Sequence, residues 1–287
     1  VDLEATPKNF VPATAYLPTQ NINNVELSYG KWHLGSAEVS ISSTFRVAWR
    51  AMASTTGVRT LYPAIIPPGA KHVNGLVSAG PIQSRNEVAA IAGTSSLLTD
   101  YLVRATGIAN LYGTVFDGLP IGVSDALSQI AAETYLRLNC LTEDYIQLWQ
   151  SVTGKSWTIH TPLRLAWDRQ QAQNEIDAIV ALSLGVTADE LCMIYRTQFP
   201  VMRKYDQQNL FDANGRLVPK EIVKAEEKAA SGSKGTPGSL SEAERTWTHP
   251  QSGVEYVFEY PFKPMDREAE LRKAYARYEA VLAESEK

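Results

Sequence analysis

The chain has 287 residues, of which 44% are hydrophobic, and its formal net charge is −4. This negative balance speaks against a protein that binds nucleic acid through net positive charge alone. No apolar run approaches the roughly 20 residues that a membrane helix needs. The first ten residues, VDLEATPKNF, do not form a secretion signal. We therefore expect a cytoplasmic protein without a membrane partner.

The first third of the chain reads as β-rich. Two short alternating segments, residues 25–29 and 37–41, flank GKWHLGS, which predicts a hairpin with that stretch as its loop. FRVAWR alternates with period two, so its large apolar side chains share one face, and Arg46 and Arg50 share the other. Residues 59–66 predict another strand, which Pro63 would restrict to an edge.

The period then changes to that of a helix. A helical stripe begins near Asn86 and ends at Gly107, a residue type that favours helix C-termini. LYGTVF, residues 111–116, predicts one more strand. Helices are expected after Ser124, from Thr161 to Gly185, and after the capping box that opens at Thr187.

The last part of the chain mixes element types. Residues 229–241, rich in Gly, Ser and Pro, predict a flexible segment. A hairpin is expected across residues 245–260, and an amphipathic helix closes the sequence. The whole pattern predicts an α+β fold, with a β-rich domain over residues 1–122 and a mainly helical domain over residues 123–287.

The sequence shows no recognisable catalytic centre. No two glycines stand one residue apart, so the Gly-x-Gly loop of dinucleotide and adenosyl cofactors is missing. The four histidines are scattered, and the two cysteines lack the spacing of metal ligands. We expect Cys140 and Cys192 to be buried, inert thiols. No catalytic, cofactor or metal residue is therefore assigned to this chain.

Three segments carry a resemblance to a known family. The first is FRVAWRAMASTTGVRTLYPAIIPPG, in which paired arginines precede a Ser/Thr turn, an Arg-Thr, an apolar strand and a Pro-Pro-Gly turn. The second is residues 95–121, and the third consists of residues 136–149 and 172–204. In this order they resemble the target-recognition region of bacterial DNA adenine-N6 methyltransferases, namely the type IIG and IIL restriction–modification enzymes and related phage-defence methyltransferases.

The resemblance implies a function and a set of partners. In that family this region reads duplex DNA while another part of the enzyme methylates adenine. The family's cofactor loop and its Asn-Pro-Pro-Tyr motif should precede the region, but both are missing here. The chain therefore resembles a non-catalytic C-terminal part, with no cofactor of its own. Its implied partners are double-stranded DNA and an N-terminal methyltransferase domain or subunit, which would bind S-adenosylmethionine.

Arginine suits the implied role because it can bond guanine in a bidentate manner or fix a phosphate. The alternative interpretation is that these arginines cover a half-buried strand with their stems. For Arg104 we favour an ion pair with Asp100, one helical turn earlier. The candidate DNA-contacting residues are Arg46, Arg50, Thr55, Thr56, Arg59, Thr60, Lys71, His72, Asn74 and Arg104.

A second hypothesis is a protein-interaction or assembly domain of a phage-defence complex, without direct base readout. The two hypotheses differ on one geometric point. DNA recognition predicts that Arg46, Arg50 and Arg59 converge on one concave surface with Lys71 and Asn74. A hydrolase has little support, because no sequence spacing joins a histidine to an acidic or serine partner.

Overall fold

A computed structural model describes residues 1–11, 30–54, 56–120, 122–231 and 237–285. It confirms the α+β fold, because helices and small antiparallel sheets occur together. Among the described helices, none combines the length and apolarity that crossing a membrane requires. The predicted strand over residues 25–29 lies outside the described residues.

The first two strands form a small antiparallel hairpin. Strand β1 (Lys31–Leu34) pairs with β2 (Ala37–Ser40), and Trp32 lies opposite Val39. The turn between them uses Gly35 with a φ of +63°, a value that glycine adopts without strain. The prediction that GKWHLGS forms the hairpin loop is therefore wrong for its central residues. KWHL is itself a strand, and the burial of its side chains alternates.

The second sheet has three antiparallel strands in the order β4-β3-β5. They are β3 (Arg46–Arg50), β4 (Ala64–Ile66) and β5 (Leu76–Ala79). Because β3 is central, its first four residues are buried and only Arg50 is exposed. The predicted half-open face of this strand is wrong, since both of its faces are covered. Only the last three residues of the predicted strand over 59–66 are extended.

The remaining elements are helical apart from one hairpin. The hairpin consists of β6 (Thr246–Thr248) and β7 (Glu255–Val257), as expected from the sequence. The α-helices in the described part of the chain are α1 (Arg85–Thr94), α2 (Leu97–Thr106), α3 (Gly113–Asp117), α4 (Asp125–Asn139), α5 (Ile146–Thr153), α6 (Ala166–Ser183), α7 (Ala188–Gln198), α8 (Pro200–Gln208), α9 (Lys220–Ser231) and α10 (Arg267–Ser285).

Several helix boundaries differ from the prediction. The helix expected from Asn86 to Gly107 is two helices, because Ser96 caps α2 by accepting from the backbone N–H of Thr99. The strand predicted over 111–116 is wrong, since most of that segment is α3. The helix expected from Thr161 begins five residues later, at α6. The capping box at Thr187 is confirmed.

One hydrophobic core crosses the predicted domain boundary at residues 122 and 123. It joins Val88 of α1, Leu127 of α4, Ile179 of α6 and Tyr278 of α10. A second, smaller cluster holds α9 against the β6–β7 hairpin through Val218, Ile222, Leu240 and Phe258. The predicted flexible segment 229–241 is helical up to Ser231, its residues 232–236 lie outside the described part, and Leu240 is buried.

This shared core makes the first 122 residues dependent on the rest. We expect a fragment of residues 1–122 to lack a cooperative unfolding transition, because α1 would lose its packing against α4 and α6. Urea unfolding followed by near-ultraviolet circular dichroism would test this, with the full chain as control. A sharp transition in the fragment would show that residues 1–122 form an independent domain.

Candidate nucleic-acid interface

Arg50 lies at the exposed end of the central strand of the second sheet. It is opposite Leu76 of β5, and the next residue, Ala51, donates its N–H to the carbonyl of Gly75 at 2.9 Å. This pairing places Asn74, also exposed, beside the same strand end. Within the described residues, the Arg50 side chain makes no hydrogen bond or ion pair. Its guanidinium is therefore available to a ligand.

Arg46, four residues earlier, is fully buried and bonds to protein groups. Its Nη2 donates to the carbonyl oxygen of Ala70, and its Nη1 lies 3.4 Å from Oγ of Ser78. These bonds tie the loop over residues 67–75 to strand β5. Arg46 thus does not lie on a surface that a duplex can reach. It holds the loop that carries Lys71 and Asn74.

His72 belongs to the same bonded group. Its Nε2 lies 2.8 Å from Oγ of Ser78, and its Nδ1 lies 3.4 Å from the carbonyl oxygen of Val73. Burial lowers the pKa of His72, the bond to Val73 raises it, and the nearby charge of Arg46 lowers it. The net direction is downward, which favours a neutral ring. The partners indicate that Nδ1–H donates to Val73 and that Nε2 accepts from Ser78.

A second buried arginine fixes the Ser/Thr loop over residues 54–60. Arg59 is 8% exposed, and its Nη2 lies 3.1 Å from Oδ2 of Asp177 on α6. Its Nη1 donates to the carbonyl of Ser95 at 3.3 Å. The backbone N–H of Thr60 bonds both carboxylate oxygens of Asp100 at 2.9 Å. Neither Arg59 nor Thr60 reaches the surface that carries Arg50.

Arg104 completes this clamp from α2. Its ion pair with Asp100 at 3.3 Å confirms the alternative that we favoured for this residue. Its Nη2 also donates to the carbonyls of Gly57 and Val58, both at 3.1 Å. The guanidinium stacks over the ring of Phe199, with its central carbon 4.4 Å from the ring centre. Arg104 therefore positions the loop over residues 54–60 by bonding its backbone carbonyls.

Asp177 accepts the hydrogen bonds that fix Arg59 and the start of α2. Its side chain is fully buried and also accepts the backbone N–H of Leu97 at 2.7 Å, at the start of α2. Burial raises the pKa of Asp177, while the charge of Arg59 and the Leu97 N–H lower it. A buried carboxylate needs such partners, because desolvation disfavours its charged form.

The three motif arginines thus do not converge on one surface. Arg46 and Arg59 are buried and bond to separate partners, and Arg50 is exposed. Thr56 is exposed at the tip of the Ser/Thr loop, with its Oγ1 3.0 Å from Oγ of Ser54. Thr55 lies outside the described residues. The candidates that a ligand can reach are Arg50, Thr56, Lys71, His72 and Asn74.

Sequence reasoning missed three exposed residues beside Arg50. Met52 is 61% exposed and pairs with Asn110, and Tyr112 is 56% exposed. The bond from the N–H of Leu111 to the carbonyl of Ala51 fixes this second segment against the first. Asn110 and Tyr112 follow the predicted helix end at Gly107, which could have indicated an exposed loop with hydrogen-bonding side chains. The prediction of a strand over 111–116 led away from this interpretation.

No group of three or more His, Cys, Asp or Glu side chains in the described residues could hold a metal ion. Cys140 and Cys192 are buried, as expected, and burial raises the pKa of both thiols. The sequence matches no protein-family model, and no curated protein or solved structure shows significant similarity to it.

The Arg59–Asp177 pair should be essential for stability. We expect Asp177→Ala to lower the free energy of unfolding by about 3–5 kcal/mol, because it leaves the buried Arg59 charge unpaired. The matched control is Glu268→Ala, which removes the exposed partner of Arg196 and should cost less than about 1 kcal/mol. Urea titration of the variants measures both. Equal effects would contradict the role assigned to the buried pair.

Protonation of His72 should destabilise the protein. Its pKa in the folded chain lies below the ordinary 6.5, so the unfolded chain binds more protons as the pH falls through this window. The stabilisation from neutral His72 is therefore present above pH 6.5 and lost below the folded pKa. We expect the stability difference between the native chain and His72→Gln to narrow on acidification. Urea midpoints of both proteins should be measured between about pH 8 and about pH 5. A difference in midpoint that stays constant over this range would contradict the expectation.

Proposed function

We propose that the chain recognises a short site in duplex DNA, as the non-catalytic specificity part of an adenine-N6 methyltransferase system. The observation that carries the proposal is the position of Arg50. Its side chain has no bonded partner among the described residues, and it lies at a strand end beside the loop that buried Arg46 holds. The resemblance of the same residues points in the same direction. The convergence of Arg46, Arg50 and Arg59 that DNA recognition predicted is absent, so of these three arginines the proposal assigns a DNA contact to Arg50 alone.

Rigid loops suit sequence readout. The backbone of the 67–75 loop is bonded by Arg46, and that of the 54–60 loop by Arg104 and Asp100. Side chains on such loops lose little conformational freedom on binding, which favours affinity and discrimination. The buried arginines therefore serve recognition indirectly, by fixing where the exposed side chains stand.

The exposed side chains divide into two chemical roles. Arg50 can bond the O6 and N7 atoms of guanine, and Asn74 can bond the N6 and N7 atoms of adenine. Lys71 is suited to a phosphate, which orients the protein without reading sequence. Thr56 and His72 supply further hydrogen-bonding groups at the edges of the same surface.

The net charge of −4 requires help from a partner. A chain with few exposed cations at its interface should bind duplex DNA weakly and with a shallow dependence on salt. A methyltransferase domain or subunit, with bound S-adenosylmethionine, would supply the rest of the DNA contact and the chemistry. Such an enzyme acts in the cytoplasm and takes adenine out of the helix.

A second candidate function rests on the apolar residues of this surface. Met52, Val73, Leu76 and Tyr112 are 61%, 50%, 40% and 56% exposed, and all lie near Arg50. Exposed apolar groups gathered in one place are typical of protein interfaces. An assembly domain of a defence complex would use them to bind a protein instead of a base edge.

Binding to duplex DNA separates these functions. With a methyltransferase partner present, we expect the chain to enrich one short adenine-containing motif from a randomised duplex library. Arg50→Ala and Asn74→Ala should each weaken binding to that motif by about 1–3 kcal/mol, the value of one bidentate base contact. Fluorescence anisotropy at two salt concentrations measures the loss.

The matched control is Arg85→Ala. Arg85 is exposed on α1, away from the sheet end, and bonds Gln129 at 3.1 Å. Its removal should leave the affinity for the motif unchanged within error. Flat binding across the library, insensitive to Arg50→Ala and to the partner, would favour the assembly domain.

A further inference from the structure

A cleft in the described part of the chain is lined by residues outside the Arg50 surface. Its volume is about 1230 Å³, above the 300–1,000 Å³ or so of common small-molecule pockets. Its lining includes the β4 strand, the first turns of α6, the β6–β7 hairpin and the start of α9. None of the exposed DNA-contact candidates lines it.

The charge of the cleft is unbalanced. Its described lining includes six Arg or Lys side chains but three Asp or Glu side chains. Arg59, Arg216 and Arg267 have carboxylate partners, and Arg164 bonds backbone carbonyls. Among the described residues, Arg169 and Lys220 have no carboxylate partner. Asp2 and Glu4 are bonded to hydroxyl groups and to Arg216, respectively, so Glu221 is the remaining acid. Cationic donors thus exceed the acceptors available to them.

Arg169 is the donor that best marks a site. Its Nη1 donates to the carbonyls of Leu138 and Leu163, both at 3.0 Å, and these bonds fix its orientation. Its Nε and Nη2 have no hydrogen-bond acceptor among the described residues. Burial lowers the pKa of Arg169, which reflects how little water solvates this cation. An anion in the cleft would pair with it.

Aromatic rings line the same cleft. Trp247 and Tyr256 lie opposite each other across the hairpin, so their rings share one sheet face. Tyr62, 47% exposed, stands on the sheet wall and accepts the backbone N–H of Arg59 at 2.8 Å. Gln170, without a hydrogen bond among the described residues, adds an amide. Rings with amides and cations suit a base joined to a phosphate.

We propose that this cleft binds a nucleoside phosphate, with Arg169 and Lys220 on the phosphate and Trp247 or Tyr62 against the base. The ligand is either a free nucleotide or one unit of a single-stranded nucleic acid, since both present the same chemistry. This site is separate from the Arg50 surface and does not depend on duplex recognition.

Calorimetric titration of the full chain tests the proposal. The probes are AMP, adenosine, inorganic phosphate and an eight-nucleotide single strand of mixed sequence. AMP or the strand should bind, and adenosine and phosphate should each bind at least about tenfold more weakly than AMP. Tighter binding of the strand identifies nucleic acid as the source, and tighter binding of AMP identifies a free nucleotide.

Variants assign the binding to the cleft. Arg169→Met should raise the Kd by about tenfold or more, because bonds to charged groups are lost. Lys220→Met provides a second variant, since Lys220 is exposed and its side chain makes no hydrogen bond or ion pair among the described residues, and it should raise the Kd several-fold. Arg85→Met is the matched control, because Arg85 is exposed but does not line the cleft, and it should leave nucleotide binding unchanged.

The proposal is overturned if neither AMP nor the strand binds at millimolar concentration. It is also overturned if both bind equally well to the native chain, Arg169→Met and Lys220→Met. Equal affinity for phosphate and AMP would overturn the role of the aromatic wall. If the native chain binds AMP but not duplex DNA, the proposed duplex function is contradicted and the nucleotide site is not.

Discussion

The buried pair of Arg59 and Asp177 is the interaction that fixes the Ser/Thr loop, with its exposed Thr56, to the helical core. Asp177 stands on α6 in the middle of the core, and it bonds both Arg59 and the first N–H of α2. Removing two charges from water is costly, so such a pair persists only where further hydrogen bonds satisfy it. Here the carbonyl of Ser95 and the N–H of Leu97 do so. The Ser/Thr loop, α2 and α6 are thereby fixed to one another.

Buried or half-buried arginines that bond the backbone of loops occur elsewhere in the chain as well. Arg46, Arg104 and Arg164 each donate to backbone carbonyls of segments that have few regular backbone partners of their own. A guanidinium has five donors in a fixed plane, so it can bond several carbonyls at once. These three arginines therefore order loops, and Arg50 differs from them because its side chain makes no such bond among the described residues.

Local signals in the sequence predicted much of the fold. The capping box at Thr187 and the helix end at Gly107 were correct, because both depend on a few neighbouring residues. The strand predicted over 111–116 failed because packing overrides local preference there. Trp49 stacks on Phe116 with ring centres 4.1 Å apart, and its Nε1 donates to the carbonyl of Leu111 at 2.7 Å.

The site was predicted less well, and for a related reason. An arginine on an alternating strand faces either solvent or protein, and spacing cannot distinguish these cases. For Arg59 the deciding partner is Asp177, which lies 118 residues away in the sequence. For Arg46 the deciding partners are Ala70 and Ser78, which bond its guanidinium 24 and 32 residues further along the chain. Only the exposed end of that strand, at Arg50, kept the property that the sequence suggested.

The segment over residues 56–62 lies between the two proposed sites. The exposed Thr56 lies at one end of the segment, and Tyr62, a wall of the cleft, lies at the other. Between them Arg59 is held by Asp177 and Ser95, and its N–H is held by Tyr62. A ligand can couple two sites only if it favours one of two arrangements of the structure between them. This segment is anchored at both its side chain and its backbone, so we expect occupancy of the cleft to leave the Arg50 surface unchanged.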